Sequence, residues 1–403
     1  MAMKNVILIT LDATRKDVFG LYGNKRGLTP FMDSLKGDSL VFTGSQSAGP
    51  YTQASFPAIL CSGYYLDYGK PQGLSPQRPI ISEELHKAGI FTAGFHSNPY
   101  CSSMLGWERG WDIFYDSMDD DLDDDRIPYI RGNVINEKVT GWLAEHTQKS
   151  SYAPFFLWVH YMDVHEPYMP ERRHVEMVDP SIDISQDQMY AMFEDVLLKR
   201  DVSDPTKVAL LKRLYDVHVR EVDTYVESLF SSLGSTGVLK DTAVLITSDH
   251  GDEFNEHGGL SHDDKLYSEL IDVPLLIYGA GEKGRCNDVV SSVDIPPTVL
   301  NLLGVQPSPA FQGRSLLPST TVAAKGVFGE AINQKTAKGG DLSRDSYFCR
   351  MGDLKLIYRA DSGQTELYNL ANDPGERLNI AGSAAEPDKL QRELKPRVRR
   401  WVK

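Results

Sequence analysis

The 403-residue chain predicts the α/β class: a largely parallel central sheet flanked by helices, followed by a smaller antiparallel lobe. Three observations lead there. Short, nearly continuous apolar runs recur between residues 5 and 279, as expected of strands buried on both faces. Segments with apolar residues at three- and four-residue spacings separate several of them, the pattern of crossover helices over a parallel sheet. Beyond residue 318 the texture changes to loops and short alternating runs.

In chain order, the predicted strands are "NVILIT" (5–10), "SLVFTGS" (39–45), "IFTAGFH" (90–96), "FFLWVHY" (155–161), "AVLITSD" (243–249) and "VPLLIYG" (273–279). The predicted helices are "PIISEELHKAG" (79–89), "NVINEKVTGWLAEH" (133–146) and "KVALLKRLYDVHVREVDTYVESLFSSL" (207–233). "VSSVDIPPTVLNLLGV" (290–305) reads as a short strand and a proline-started helix. "GVFGEA" (326–331), "SYFCRMGDLKLIYR" (346–359, with a turn at 351–353) and "TELYNL" (365–370) supply the antiparallel lobe, and "DKLQRELKPRVRRWVK" a charged helix broken by Pro396. The expected division is 1–318 and 319–403.

Composition excludes several function classes. The net charge of −14 argues against a nucleic-acid surface, which needs clustered Lys and Arg. Seven aspartates crowd "DSMDDDLDDDR" (116–126), the composition of a solvated loop; the glycine and terminal glutamate of a calcium-binding EF-hand are missing. No apolar run approaches the ~18 residues a membrane span needs, so no membrane anchor is expected. "MAMKNVILITLDATRKD" does not read as a secretory leader, and Cys61, Cys101, Cys286 and Cys349 lack metal-binding spacing. The expectation is buried thiols and a cytoplasmic location; the sequence leaves homo-oligomer formation open.

In open parallel sheets ligands gather beyond the carboxyl ends of the strands. Asp12 follows the first strand; His160, Asp163 and His165 end or follow the fourth; Asp249, His250 and His257 follow the fifth. Each has an ordinary reading alone: Asp12 as a turn cap, His160 as a satisfied core or supporting histidine, "SDHG" as a turn. Three clusters of carboxylates and imidazoles on one inferred sheet edge are together what a divalent cation requires.

"NVILITLDATRKDVFGLYGNKRGLTPFMDSL", "WVHYMDVHEPYMP", "LITSDHGDEFNEHGG", "VSSVDIPPTVLNLLG", "GRSLL" and "ELYNLANDPGERLNIA" occur in that order between residues 5 and 381, and as a set they resemble the sulfatase branch of the alkaline phosphatase superfamily. The resemblance implies an alkaline-phosphatase-like, sulfatase-type α/β domain with a small C-terminal antiparallel sheet. It implies metal ligation by Asp12, Thr52, Asp249 and His250, and contact with the transferred group's oxygens by His165 and His262, with Lys265 as a substitute. Arg15 and His257 match recurrent family positions.

The departures from that family set the functional expectation. Its paired aspartates are here Asp12 and Ala13, and no cysteine or serine lies in the x-Pro-x-Arg context that precedes oxidation to formylglycine. Matching "PAILCSGYYLDYG" (57–69) to the family's helix and turn puts Thr52, in a helix-cap context, at the nucleophile position, with Ser55 as fallback. A threonine cannot form the aldehyde hydrate that expels sulfate. It resembles instead the threonine-using phosphodiesterase and phosphoglycerol or phosphoethanolamine transferase relatives. The expected function is therefore metal-dependent hydrolysis of a small anionic phosphate ester, a phosphodiester or phosphonate monoester above a phosphomonoester, through a covalent Thr52 intermediate. A sulfuric ester hydrolase without formylglycine and a head-group transferase are the alternatives. One divalent ion per chain is expected, Mn or Zn above Mg or Ca.

Overall fold

The computed structural model describes residues 3–68, 73–148, 152–262, 265–319, 326–332, 345–382 and 387–401. The strands are β1 (Asn5–Leu11), β2 (Ser39–Gln46), β3 (Phe91–His96), β4 (Ile113–Asp116), β5 (Phe155–Tyr161), β6 (Thr242–Ser248), the short hairpin β7 (Glu253–Phe254) and β8 (Leu260–Ser261), β9 (Leu275–Tyr278) and β10 (Gly284–Ser291). Apart from the hairpin they form one eight-stranded sheet in the order β10-β2-β9-β6-β1-β5-β3-β4, parallel except for β9, which runs antiparallel to β2 and β6.

Every residue of β1, β5 and β6 is buried, and the two faces divide by the period of two that a strand imposes. Ile7, Ile9, Leu157 and Val159 join the core under the helices Gly132–Thr147 and Pro205–Ser235. Val6, Leu8, Phe156, Trp158 and Leu245 join the opposite core, with Phe56, Ile59 and Leu60 of the helix Thr52–Cys61 and Val299 and Leu300 of the helix Ile295–Leu302. Helices therefore cover both faces, and the uninterrupted apolar runs follow from that. Leu11 is level with Tyr161 on one side and Ser248 on the other. This register brings the residues after β1, β5 and β6 to one edge.

A separate antiparallel sheet contains β11 (Val327–Ala331), β12 (Ser346–Met351), β13 (Leu354–Arg359) and β14 (Thr365–Asn369) in chain order. Met351 pairs with Leu354 across a two-residue turn, and Gly352 supplies its left-handed position at φ 58°. The helix Pro387–Trp401 runs through Pro396 instead of breaking there. Leu390 and Leu394, one turn apart, are buried against Cys349, Leu356 and Leu367, so tertiary packing outweighs the hydrogen bond the proline forfeits. The aspartate run is also more ordered than expected. Asp116 ends β4 and accepts from the Ser103 N–H at 2.7 Å, while Asp120 and Asp124 pair with Lys138 and Arg126. The four cysteines are buried and unpaired, and burial pushes the Cys61 and Cys349 thiols up to about 12. Among the described residues no helix is long and apolar enough to cross a membrane.

Candidate active site

Asp12 leaves the end of β1 and Asp249 and His250 the end of β6; donor atoms from all three lie within 4.8 Å of one another. His250 Nε2 is 3.4 Å from Asp249 Oδ2 and 3.8 Å from Asp12 Oδ1, with all three side chains fully buried. His250 Nδ1 faces the Gly251 carbonyl at 3.0 Å, so it carries the proton and donates. Burial, joined by the charge of His262, pushes His250 down to about 4, leaving a neutral ring. Its Nε2 lone pair is thus aimed at carboxylate oxygens, and both Nε2 and Asp12 Oδ1 have no hydrogen-bond partner. A cation among them removes that conflict. Two carboxylates and an imidazole suit a borderline divalent ion, so the donor set fits the metal the resemblance implies.

The other carboxylate oxygens are already held. Asp12 Oδ2 accepts from Asn98 Nδ2 at 2.8 Å and lies 3.2 Å from His160 Nε2, while His160 Nδ1 lies 2.8 Å from Thr10 Oγ1. His160 is thus the supporting histidine of the two readings its sequence position allows. Asp249 Oδ1 accepts from the backbone N–H groups of His250 at 2.8 Å and Ala13 at 3.1 Å. Ala13, where the resemblance leads one to expect a second aspartate, takes the left-handed conformation at φ 50° and supplies this N–H in place of a carboxylate. Burial opposes ionisation of Asp12, but His160, His165 and His250 outweigh it and hold its carboxyl below the usual range; burial and the Asp12 charge push Asp249 well up. A divalent cation is what lets both ionise.

Thr52 is the first residue of its helix; Tyr51 occupies the N-cap position without a side-chain cap. The expected cap role for Thr52 is therefore corrected: its hydroxyl faces the site. Oγ1 donates to Asp249 Oδ2 at 3.4 Å and accepts from Asn98 Nδ2 at 3.4 Å. Ser55, the fallback, donates to the Thr52 carbonyl at 3.1 Å and so turns back along the helix. The N–H groups of the first helical turn lack intrahelical acceptors and, with the helix dipole, favour an anion there.

His262 and His165 flank the cluster. The His262 ring centroid is 4.5 Å from that of His250 and 5.1 Å from that of His165. His262 Nδ1 is 2.9 Å from Asp252 Oδ1, and Asp252 Oδ2 accepts from the Tyr168 hydroxyl at 2.5 Å. Burial would lower His262, but the Asp252 contact outweighs it and raises the ring to about 9, an imidazolium at neutral pH. His165 Nδ1 donates to the Glu166 carbonyl at 2.6 Å, which leaves Nε2 free to face a ligand.

The remaining expected residues are occupied elsewhere. Lys265 Nζ binds Glu253 Oε2 at 2.7 Å and the His257 carbonyl at 2.9 Å, on the β7/β8 hairpin. Arg15 is buried and paired with Asp17 at 2.8 Å and Glu256 at 2.7 Å, and donates to the Asp252 carbonyl at 3.0 Å. These partners consume both cations, so neither is presented as an anion clamp. His257 pairs with Glu269 at 2.5 Å, and Asp163 accepts from the Gly132 N–H at 3.0 Å, at the start of a helix. Sequence reasoning passed over Asn98 and Asp252. Asn98 follows β3 within "HSNPY", so the strand-end rule that singled out Asp12 and Asp249 applied equally to it.

The sulfatase family profile matches residues 4–305, and the profile of the N-sulphoglucosamine sulphohydrolase C-terminal region matches 256–403. An arylsulfatase of Clostridium perfringens is 23% identical over 447 residues, covering 96% of this chain and 92% of that one. Arylsulfatase K of Xenopus laevis is 29% identical over 191 residues, covering 45% of this chain and 35% of that protein. The chain thus spans about a third of the length of the arylsulfatase K relatives it matches. Among solved structures, a protein in complex with its substrate D-glucosamine-2-N,6-O-disulfate superposes with a TM-score of 0.81 at 19% identity, over 100% of this chain and 98% of that one. The phosphonate monoester hydrolase of Agrobacterium radiobacter superposes with a TM-score of 0.79 at 18% identity, over 98% and 95%. With the family profile spanning most of its length and the same fold in these neighbours, the chain belongs to the sulfatase family of ester hydrolases.

Proposed function

We propose that this chain is a divalent-metal-dependent hydrolase of phosphate esters, acting on phosphodiesters or phosphonate monoesters through Thr52. The observation that carries this reading is the threonine hydroxyl at the helix N-terminus, hydrogen-bonded to Asp249 and Asn98 beside the Asp12–Asp249–His250 donors. A divalent ion held by those three residues lowers the pKa of a hydroxyl it touches and offsets charge on the transferred group.

The chain's own residues do the rest. Asn98 orients the Thr52 oxygen, which passes its proton to Asp249 Oδ2 as it attacks phosphorus; the P–O bond to the leaving alcohol breaks, and His262, an imidazolium at neutral pH, gives that alcohol oxygen a proton. The N–H groups of the helix start and His165 stabilise charge on the equatorial oxygens, at about 3–4 kcal/mol for a well-placed donor. Water then attacks phosphorus of the Thr52 ester and passes a proton to the neutral His262; the bond from phosphorus to Thr52 Oγ1 breaks and that oxygen regains its proton from Asp249, restoring the enzyme. A sulfuryl group on threonine has no comparable exit, because the carbonyl collapse open to an aldehyde hydrate is missing.

The test is a comparison of kcat/KM for aryl phosphodiester, phosphonate monoester, phosphomonoester and sulfate substrates. The protein is stripped with a chelator and restored with Mn²⁺ or Zn²⁺. Activity is expected to vanish on stripping, return with metal, and favour the diester or phosphonate. A sulfate preference of several orders of magnitude overturns the phosphate reading and supports the second one, sulfate-ester hydrolysis, which the family profile and the sulfated substrate of the structural neighbour favour. Accumulation of the alcoholysis product with an added acceptor alcohol would identify a transferase.

A further inference from the structure

A second set of buried donors stands on elements the candidate active site does not use. We propose that Glu171, His174, His218 and Glu221 form a separate site for a divalent transition-metal ion, with zinc the best chemical match. Glu171 caps and His174 belongs to the helix Arg172–Val178; His218 and Glu221 lie one turn apart on the helix Pro205–Ser235. Each helix thus contributes a carboxylate and an imidazole three residues apart, a spacing that puts both on one face.

Donor atoms of Glu171, His174 and Glu221 lie within 4.8 Å of one another, and His218 Nδ1 is 2.9 Å from Glu221 Oε2. His218 and Glu221 are 0% exposed and His174 is 4% exposed. Yet these contacts are not aligned as hydrogen bonds: His174 Nδ1 lies 3.3 Å from Glu221 Oε1 and His218 Nδ1 2.9 Å from Glu221 Oε2 without hydrogen-bond geometry, and His218 Nε2 has no hydrogen-bond partner. The neighbouring groups do not relieve this. Tyr225 OH donates to Glu221 Oε1 at 2.9 Å and Arg131 Nη1 donates to the same oxygen at 3.3 Å, which leaves Oε2 to the His218 side. A plain ion-pair network would align these atoms in hydrogen bonds; open nitrogen and carboxylate donors facing one another are what a tetrahedral N/O-ligated ion satisfies.

Glu171 is only half-buried, paired with Arg173 at 2.6 Å, and opens the cluster to solvent as an entry path. An ion there would tie the short helix that follows the His165 segment to the long helix, whose Tyr215 hydroxyl donates to the Ala13 carbonyl at 2.9 Å. It would brace two sides of the active-site edge without touching substrate.

The experiment loads the chelator-stripped full-length chain with Zn²⁺ alone. Zinc per chain is counted by elemental mass spectrometry, and zinc is located in wild-type crystals by anomalous scattering at its absorption edge. An anomalous peak between His174 and Glu221 is expected. In the His250→Ala variant, which dismantles the active-site cluster, one zinc per chain should remain and raise Tm by several degrees; adding His174→Gln or Glu221→Gln should remove both effects. Absence of the peak in zinc-loaded wild-type crystals overturns the proposal even if the variants fold poorly, as does zinc retention unchanged by His174→Gln.

Discussion

Asn98 is the residue on which the candidate site depends most without being a metal donor. Its single amide nitrogen reaches Asp12 Oδ2 at 2.8 Å and Thr52 Oγ1 at 3.4 Å, so it couples the proposed metal-binding carboxylates to the proposed nucleophile. Asn98→Ala is expected to lower kcat by about 10²–10³-fold, the usual effect of losing one preorganised donor, with KM and bound metal little changed. A fall confined to KM would show that Asn98 only binds substrate. Thr52→Ala is expected to abolish phosphodiester turnover while metal content stays at the wild-type level; full activity in that variant would remove Thr52 as nucleophile. The match of "PAILCSGYYLDYG" (57–69) to a family helix singled out Thr52 as a candidate, but the identity of its partners was not legible. Asp12, Asn98 and Asp249 are separated by 86 and 151 positions, and only the sheet register brings them together.

At the level of elements, the helix Thr52–Cys61 can enter the site only because the preceding turn packs closely on it. A Cβ at Gly49 would sit 2.3 Å from the Ala54 Cβ and 2.8 Å from its carbonyl carbon, so Gly49→Ala must displace the first turn. Such overpacking costs about 1–3 kcal/mol; a lower Tm is expected together with a loss of kcat, since Thr52 lies between the clashing residues. The end of β3 carries a pH dependence. Burial pushes His96 down to about 3 against the opposing charge of Asp116, while its Nδ1 accepts the Asn98 N–H at 3.3 Å. The folded value lies below the unfolded one of about 6.5. The stability His96 contributes is thus complete above pH 6.5 and is lost as pH falls toward about 3. Urea midpoints measured across that range should fall less steeply for His96→Phe than for wild type; parallel curves would show that other groups govern the acid limb.

For the whole molecule, the antiparallel sheet matters because its first strand docks beside the proposed nucleophile. The Tyr51 hydroxyl donates to the Ile332 carbonyl at 2.8 Å and accepts from the Ile332 N–H at 3.0 Å, and the Glu330 N–H donates to the Ala48 carbonyl at 2.9 Å. The segment leading into Thr52 is therefore held between the large sheet and the small one. Tyr51→Phe should destabilise the protein by about 1–3 kcal/mol by leaving two buried backbone groups unpaired, read as a lower urea midpoint, with kcat reduced in parallel. A stability loss with unchanged kcat would mean that the small sheet supports the fold but not the alignment of Thr52.

From the sequence alone one reads the α/β class, the six main strands, the helical segments at 79–89, 133–146 and 207–233, the antiparallel strands that follow, and the carboxylates and imidazoles at strand ends. Those features are local: apolar period, turn chemistry and the residue that follows a strand are written within a few positions of one another. Which polar residues meet follows from tertiary packing alone. That packing turned Lys265 and Arg15 onto neighbouring carboxylates, gave Ala13 the backbone role of a missing side chain, joined Asn98 to Thr52, and left the His218 ring and Glu221 Oε2 facing each other without hydrogen-bond alignment. Partners at such sequence separations are selected by register and burial, where an unpaired polar atom is costly, and that cost appears only once the chain has closed around it.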